Sequence, residues 1–259
     1  MDIILIGTSG AMGKTIINSL AQNPDHQVVA GLQAETVAQG SFPIYNNFDD
    51  LKAAVKEGEV KAQVIIDFST PALTEDLLDF ARASNLPLVL ATTGQNADQI
   101  AMIQKVSQDI PILDTHNTSI GVSVMAATLK QMAAILYPLG YDIEIIEKHH
   151  RYKKDAPSGT ALMLKSALEA GIPDQTTTIY GREGLSSGRP HQEIAIHAIR
   201  GGDIVGEHTV IFANNQETIE LTHRAGDKAL FAKGAIHCAD FLIKQGPGLY
   251  DMQAVMAQS

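Results

Sequence analysis

The stretch DIILIGTSGAMGKT, residues 2–15, admits two readings, and the choice between them decides the fold. Read from its end, Gly13, Lys14 and Thr15 are the tail of a phosphate loop, with Lys14 reaching the terminal phosphates. Such a loop needs Gly, four residues, then Gly-Lys-Ser/Thr, because a wide ring of backbone N–H groups must wrap a triphosphate. Counting back from Gly13, the first glycine should stand at residue 8, which is Thr8. Read from its start, DIILI is a short apolar run of the buried parallel-strand kind, and Gly7, Gly10 and Gly13 form the turn into a helix. Glycines there keep the turn tight, admit a pyrophosphate to the helix N-terminus and let the helix pack close to the strand. The helix continues with Met12, Ile16, Ile17 and Leu20 on one face. The second reading is preferred, against the bland alternative of a glycine-rich turn that holds nothing.

Outward from this turn, short apolar runs alternate with helical patterns: VVAGL (28–32), VIIDF (64–68), LPLVLA (86–91) and IPIL (110–113) are further strands. Thr70 is placed to cap a helix with Pro71 at its first position and Leu73, Leu77 and Phe80 on one face. Strands alternating with helices imply right-handed crossovers and a parallel, doubly wound α/β sheet. Near residue 120 the character changes. Val122, Met125, Leu129, Met132 and Leu136 recur at helical steps, and DIEIIEK (142–148) reads as a strand. The runs EIAIHAIR (193–200), IVGEHTVIF (204–212) and ETIELTH (217–223) follow, joined by Gly201-Gly202-Asp203 and Asn214-Asn215. Connections so short imply antiparallel neighbours and therefore a second kind of sheet. A last helix over 231–244 stops at Gly246-Pro247.

Composition bounds the function. A chain of 259 residues, 45% hydrophobic, carries two modest domains and full cores. It contains no run of about 18 uninterrupted apolar residues, so no membrane partner is expected. Met1 leads directly into a strand without a basic leader, and Cys238 is the single cysteine; both point to the cytoplasm. The net charge of −10 leaves no basic surplus for nucleic acid.

Against that acidic background EKHHRYKKDAPSGTA, residues 147–161, gathers Lys148, Arg151, Lys153 and Lys154 beside His149 and His150. Cations concentrated in an acidic protein mark an anion site, and either histidine can deliver a proton near neutral pH, with its pKa lowered by the surrounding cations. Lys153 can hold a carboxylate or donate a proton. Pro157, Ser158, Gly159 and Thr160 open a helix whose free N–H groups and hydroxyls offer a second carboxylate site. The bland reading is a solvated charged loop before a capped helix. His26, His191 and His237 stand outside any motif and read as surface or packing residues. His208 falls in a strand and Cys238 in a core helix, with no ligand set to suggest a metal. A nucleotide-binding domain joined to one that holds a small polyanion and a proton donor fits hydride transfer with protonation.

With these stretches in hand, the chain closely resembles the 4-hydroxy-tetrahydrodipicolinate reductase (dihydrodipicolinate reductase) family of the diaminopimelate route to lysine. The resemblance covers nearly the whole chain and rests on GTSGAMG (7–13), DFSTP (67–71), ATTG (91–94), HNTSIGV (116–122), DIEIIEKHHRYKKDAPSGTA (142–161), YGREG (180–184) and RGGDIVGEHTVIF (200–212). It implies a Rossmann-type dinucleotide-binding domain, a doubly wound parallel sheet, at 1–119 and 229–259. It also implies a substrate-binding and oligomerisation α+β domain at 120–228, with a mixed, mainly antiparallel sheet, that builds a homotetramer. The activity implied is hydride delivery from NADPH or NADH to the ring of a small dicarboxylate. His149 matches the family's proposed acid, Lys153 a residue of substrate binding and protonation, and His150, Ser158, Gly159 and Thr160 the carboxylate-binding positions. The cofactor positions matched are Gly7, Thr8, Ser9, Gly10, Ala11, Met12, Gly13, Gln33, Ala91, Thr92, Thr93, Gly94, His116, Asn117 and Thr118; no metal is implied.

One departure stands out. Where many members carry an acid for the adenine ribose and then Arg for a 2′-phosphate, this chain has Gln33 and Ala34. Glu35 could reach the ribose from a shifted turn, and use of both cofactors is the expectation. The competing readings are another two-domain dehydrogenase, which has no reason to carry the histidine string, and a nucleotide-sensing regulator, which would add a partner-binding module.

Overall fold

The computed structural model describes every residue except 22, 35–41, 186 and 259. In chain order it contains β1 (Asp2–Ile6), α1 (Ala11–Leu20), β2 (Gln27–Leu32), β3 (Ile44–Tyr45), α2 (Phe48–Glu57), β4 (Val64–Asp67), α3 (Thr74–Ser84), β5 (Leu88–Leu90), α4 (Ala97–Val106) and β6 (Pro111–Asp114). Then come α5 (Ile120–Leu136), β7 (Asp142–His149), α6 (Gly159–Glu169), β8 (Thr177–Ile179), β9 (Glu193–Arg200), β10 (Gly206–Ala213) and β11 (Thr218–Ala225). The chain ends with α7 (Ala229–Leu242), β12 (Gly248–Tyr250) and α8 (Met252–Met256). It divides into two compact units, Met1–Ser119 with Lys228–Ser259, and Ile120–Asp227.

The first unit is a seven-stranded sheet in the order β12-β6-β5-β4-β1-β2-β3, with every pair parallel. Its central strands are apolar but for Asp2 and Asp67 at their ends, because both faces are covered. Ile4 and Ile6 point into a core with Leu51, Leu77, Phe80 and Ile103 from α2, α3 and α4. Ile3 and Leu5 point the other way, onto Ile16 and Leu20 of α1 and Ala235, Ala239 and Leu242 of α7. All four strand residues are fully buried, each contributing roughly 1.5–3 kcal/mol. The doubly wound parallel sheet is the one expected. Thr70, however, makes no capping hydrogen bond with its side chain. Pro71–Leu73 forms a 3-10 turn, and α3 begins only at Thr74. Leu77 and Phe80 are buried as the pattern required, with Leu73 packed at their edge.

The second unit is a five-stranded mixed sheet in the order β11-β10-β7-β9-β8. Its β7–β10 and β10–β11 pairs are antiparallel, while β7–β9 and β8–β9 are parallel. The mixed sheet was expected, but the hairpin across Gly201-Gly202-Asp203 does not form: β7 lies between β9 and β10. The short connection instead bridges the end of β7, where the Gly201 N–H donates to the His149 carbonyl at 3.0 Å and the Arg151 N–H to the Gly202 carbonyl at 3.2 Å. Those bonds satisfy backbone groups that a hairpin would have satisfied within itself. One sheet face packs on α5 and α6, with Ile143, Ile145, Val210 and Phe212 against Leu129, Ala133 and Leu164. Counted through its following 3-10 turn, α5 spans Ile120–Leu139 at a mean hydropathy of 1.4, long and apolar enough to cross a membrane by length and composition. Its apolar stripe of Val122, Met125, Leu129 and Ala133 is spent on this core. On the opposite sheet face Glu144 accepts from Arg182 at 2.8 Å, Arg189 at 2.9 Å and His197 at 2.7 Å. Burial opposes its ionisation, yet the hydrogen bonds from Arg182, His197 and Arg189 win and hold its carboxyl at about 2. Arg182 thus ties the YGREG stretch to β7.

Candidate active site

In the first unit, β1, β4, β5 and β6 are parallel neighbours, so the segments that follow them leave from one sheet edge. Those segments carry Gly7 to Gly13, the 68–71 loop, the ATTG stretch and His116 with Asn117 and Thr118. Strand order reverses at β1, which lies between β2 and β4, and crevices of doubly wound sheets open at such a point. Gly7 has φ of +87°, and a Cβ there would stand 2.5 Å from the Phe68 carbonyl oxygen. A Cβ on Gly13 would stand 2.3 Å from the Gly7 carbonyl oxygen, so α1 and the turn touch backbone to backbone. Gly10 is the N-cap of α1 and offers no side chain to its N–H groups. The α1 N-terminus is therefore left to Ser9, Ala11 and Met12, all at the surface or half-buried, and it fits a phosphate. This turn, packed too closely for a Cβ at Gly7 or Gly13 and with the α1 N-terminus uncapped, suits a dinucleotide pyrophosphate.

Around the turn, Thr8 is fully buried and donates to the Gln33 side-chain oxygen at 2.6 Å. Gln33 is itself buried, Ala34 is exposed, and Glu35 lies outside the described residues. Thr92 is buried and accepts from the Ser69 N–H at 2.9 Å, joining the 68–71 and 91–94 loops. Ala91 is half-buried, while Thr93 and Gly94 are exposed. Asn117 caps the Ser119 N–H at 2.8 Å and Thr118 donates to the Phe231 carbonyl at 2.8 Å, whereas His116 is exposed. Beneath the loops sits Asp67, 1% exposed, with one oxygen accepting from the Ser69 N–H and the other without a partner. Burial is the main cause that pushes its carboxyl up to about 6.

In the second unit, alternation along β7 turns Ile143, Ile145, Glu147 and His149 to the covered face. An acid and an imidazole occupy the last two positions of an otherwise apolar row. Glu147 is fully buried and makes four hydrogen bonds to three residues. His149 Nδ1 lies 2.6 Å from Oε2, the Ser158 N–H donates to Oε1 at 3.0 Å, and Arg200 grips both oxygens at 2.7 and 2.8 Å. Burial works against Glu147 ionising, but the Arg200 and His149 hydrogen bonds prevail and keep its pKa low. Burial is also the largest influence on His149 and lowers its pKa. Glu147 pushes that pKa up, and Lys153 and Arg200 push it down. Beyond it His208 packs edge-on at 5.2 Å between ring centres and bonds Ser158 Oγ through Nε2 at 2.9 Å. Burial, then the neighbouring His149, pushes His208 down to about 4.

Structure and sequence meet at the head of α6. Ser158 is its N-cap, with Oγ accepting from the Ala161 N–H at 3.1 Å. Ser158's N–H and hydroxyl are thus both engaged inside the protein. Gly159 is open, with no atom within 4 Å of where a Cβ would lie. Thr160 occupies the first turn beside it. His150 Nδ1 is buried without a partner, and Lys153 pairs with Asp155 at 2.8 Å. The sequence reading missed Glu147, Arg200 and His208. Glu147 was legible as the residue two before His149 on a strand, hence on its face. Arg200 and His208 come from strands whose neighbours only the sheet order reveals. Among the described residues no cluster of His, Cys, Asp or Glu is arranged to hold a metal.

A glycine-rich turn at a helix N-terminus on a doubly wound sheet, with an imidazole–carboxylate pair in a second unit, fits a nicotinamide-dependent oxidoreductase. The family patterns described as dihydrodipicolinate reductase, N-terminus and C-terminus, match residues 1–118 and 121–256. The chain belongs to the dihydrodipicolinate reductase family, whose members are NAD(P)H-dependent oxidoreductases. It is 41% identical to the 4-hydroxy-tetrahydrodipicolinate reductase of Caldanaerobacter subterraneus subsp. tengcongensis, over 97% of this chain and 96% of that one. Against the enzyme of that name from Exiguobacterium sp. the identity is 44%, over 96% and 93%. Among solved structures, a dipicolinate-bound dihydrodipicolinate reductase from Paenisporosarcina sp. TG-14 superposes with a TM-score of 0.79 at 21% identity, covering 97% of both chains.

Proposed function

We infer that this protein reduces 4-hydroxy-tetrahydrodipicolinate to tetrahydrodipicolinate with NADH or NADPH, a step of lysine and diaminopimelate biosynthesis. The observation that carries this reading is the family match across both units, extending through the residues of the histidine string. When bound, the reduced nicotinamide supplies the hydride. The chain's own residues must then hold a dianion and deliver a proton. Lys153 exchanges its Asp155 partner for a substrate carboxylate, and His150 with Gly159 and Thr160 at the α6 N-terminus takes the other. His149, with Nδ1 held by Glu147, presents Nε2 to the ring carbon beside the one reduced. In the free protein burial and the nearby cations favour neutral His149. A bound dianion offsets the charge of Lys153, so the proton is loaded as substrate arrives.

Gln33 neither repels a 2′-phosphate nor supplies charge to it, and residues 15–51 contain no Lys or Arg. We therefore propose that both cofactors are used, with specificity constants within tenfold, about 1.4 kcal/mol. We further propose a cytoplasmic homotetramer, supported by the family resemblance and by the exposed Tyr180, Leu185, Ile199 and Ile219 of the second unit.

The test is loss of NADH and NADPH absorbance, with substrate made in the cuvette from pyruvate and aspartate semialdehyde by the preceding synthase. Substrate-dependent oxidation is expected; none with either cofactor, while both still bind, refutes the activity. His149→Gln should keep cofactor affinity and lose turnover by about 10²–10⁴-fold, the usual worth of a positioned proton donor. Unchanged turnover removes His149 from that role.

A further inference from the structure

The row Ile143, Ile145, Glu147, His149 poses a question that the reaction does not answer. A fully buried carboxylate is costly to desolvate, and a third apolar side chain would pack at position 147 without that cost. The site instead surrounds Glu147 with donors. Arg200 grips it bidentately and also donates to the Asp155 carbonyl at 2.6 Å, which anchors the loop before α6. One carboxylate oxygen takes His149 Nδ1 and the other the N–H of the α6 N-cap, Ser158. A group that reaches both the imidazole and the helix terminus sets their relative position.

We propose that Glu147, clamped by Arg200, is the positioning residue of this site: it holds His149 in the Nδ1–H tautomer, so that Nε2 carries the transferred proton, and locks the α6 N-terminus in the same frame. The proposal rests on the reading of His149 as proton donor. The step balances simply: the substrate carbon takes the proton on Nε2, and the imidazole is left neutral with its Nδ1–H still donated to Glu147. A ring free to flip would present Nε2 or Nδ1 with comparable ease and would forfeit alignment. The ionisable groups facing His149 are Glu147 on its own strand, Arg200 on β9, His208 on β10 and Lys153 in the loop. His208 does not compete as donor, because its Nε2 is engaged by Ser158. Gly206 leaves room at the reacting side, since a Cβ there would lie 3.1 Å from His149 Nε2.

The experiment combines spectroscopy with a double-mutant cycle on the full-length protein. In histidine-labelled wild type, long-range proton–nitrogen NMR spectra should show neutral His149 protonated at Nδ1; protonation at Nε2 overturns the proposal. Glu147→Gln should lower kcat at least about tenfold with cofactor Kd unchanged, because a positioning carboxylate behind a histidine acts on the chemical step. The alkaline limb of its pH profile, where His149 gives up its proton, should move to lower pH, since the imidazolium loses its anion. A merely structural Glu147 would leave that limb in place. The double variant E147Q/H149Q should be no slower than H149Q alone, and losses that multiply overturn the proposal. Where Glu147→Gln does not fold, Arg200→Lys loosens the clamp at constant charge: kcat should again fall with cofactor Kd unchanged, the alkaline limb should not move to lower pH because Glu147 keeps its charge, and an unchanged kcat overturns the proposal. A slow H149Q beside an E147Q that matches wild type in kcat and pH profile overturns only the positioning role. A fully active H149Q overturns the donor reading and the positioning role with it.

Discussion

Gly13→Ala puts the dinucleotide reading of the first turn under the most direct stress. An added Cβ would lie 2.3 Å from the Gly7 carbonyl oxygen and 2.8 Å from both Cα and the carbonyl oxygen of Thr8. All three atoms are backbone, so no side chain can rotate away. The shortest contact falls about 1 Å inside ordinary van der Waals separation, and relief requires moving the N-terminus of α1 off the turn by that distance. The same carbonyl accepts the Gly10 N–H at 3.1 Å, so the displacement also strains the bond that closes the turn. Adding a methyl group to so tight a contact costs about 1–3 kcal/mol. Because the strained element is the one that presents N–H groups to phosphate, the cost should appear in cofactor affinity as well as in stability. We expect Kd for NADH and NADPH to rise about 10–100-fold, or about 1.4–2.8 kcal/mol, with a lower melting temperature. Fluorescence titration of each cofactor, paired with thermal melts, reads both effects. Gly10→Ala is the internal comparison for stability, since its Cβ would meet only the Gly7 carbonyl oxygen, at 3.3 Å, and its melting temperature should fall less. A Gly13→Ala protein that binds both cofactors within twofold of the parent and melts with it refutes the reasoning, as does a Gly10→Ala protein that melts lower than Gly13→Ala.

Two further outcomes concern pH. Asp67 has its pKa raised by burial from 3.8 to about 6, so its contribution to stability is full below 3.8 and is lost as pH rises through about 6. At 1.36 kcal/mol per pH unit that gap corresponds to about 3 kcal/mol, and Asp67→Asn should therefore melt higher than the parent at pH 8 with the advantage shrinking at pH 5. An advantage independent of pH contradicts the assignment. Glu144 is the opposite case, its carboxyl held at about 2, so its contribution is present above 4.5 and fades as pH falls toward 2. Glu144→Gln should lower the melting temperature at pH 7, leave cofactor affinity untouched and converge with the parent in acid; a loss of equal size at pH 3 would show that the Arg182, Arg189 and His197 contacts act through packing instead.

Much of the molecule can be read from local pattern because the forces that form it are local. The strand at 2–6, the turn of Gly7, Gly10 and Gly13 and the apolar face of α1 follow from periodicity and from the space a Cβ demands. Two helices passed over in the sequence carry plain end signals: Asn47 caps α2 before Gly58 ends it, and Asn96 with Gln99 forms a capping box on α4. The short β3, β8 and β12 have too few residues for any periodicity to appear.

The site divides along the same line. His149, Lys153 and Ser158 stand in one string, and the alternation of a strand already places Glu147 beside His149. What no local signal contains is the order of strands in the second sheet. Spacing alone argued for a hairpin between β9 and β10, whereas β7 lies between them and brings Arg200 and His208 to either side of the histidine. Strand pairing across 50 residues is decided by which faces bury together once the whole unit closes, a balance of loop entropy against core packing that the chain expresses only when folded.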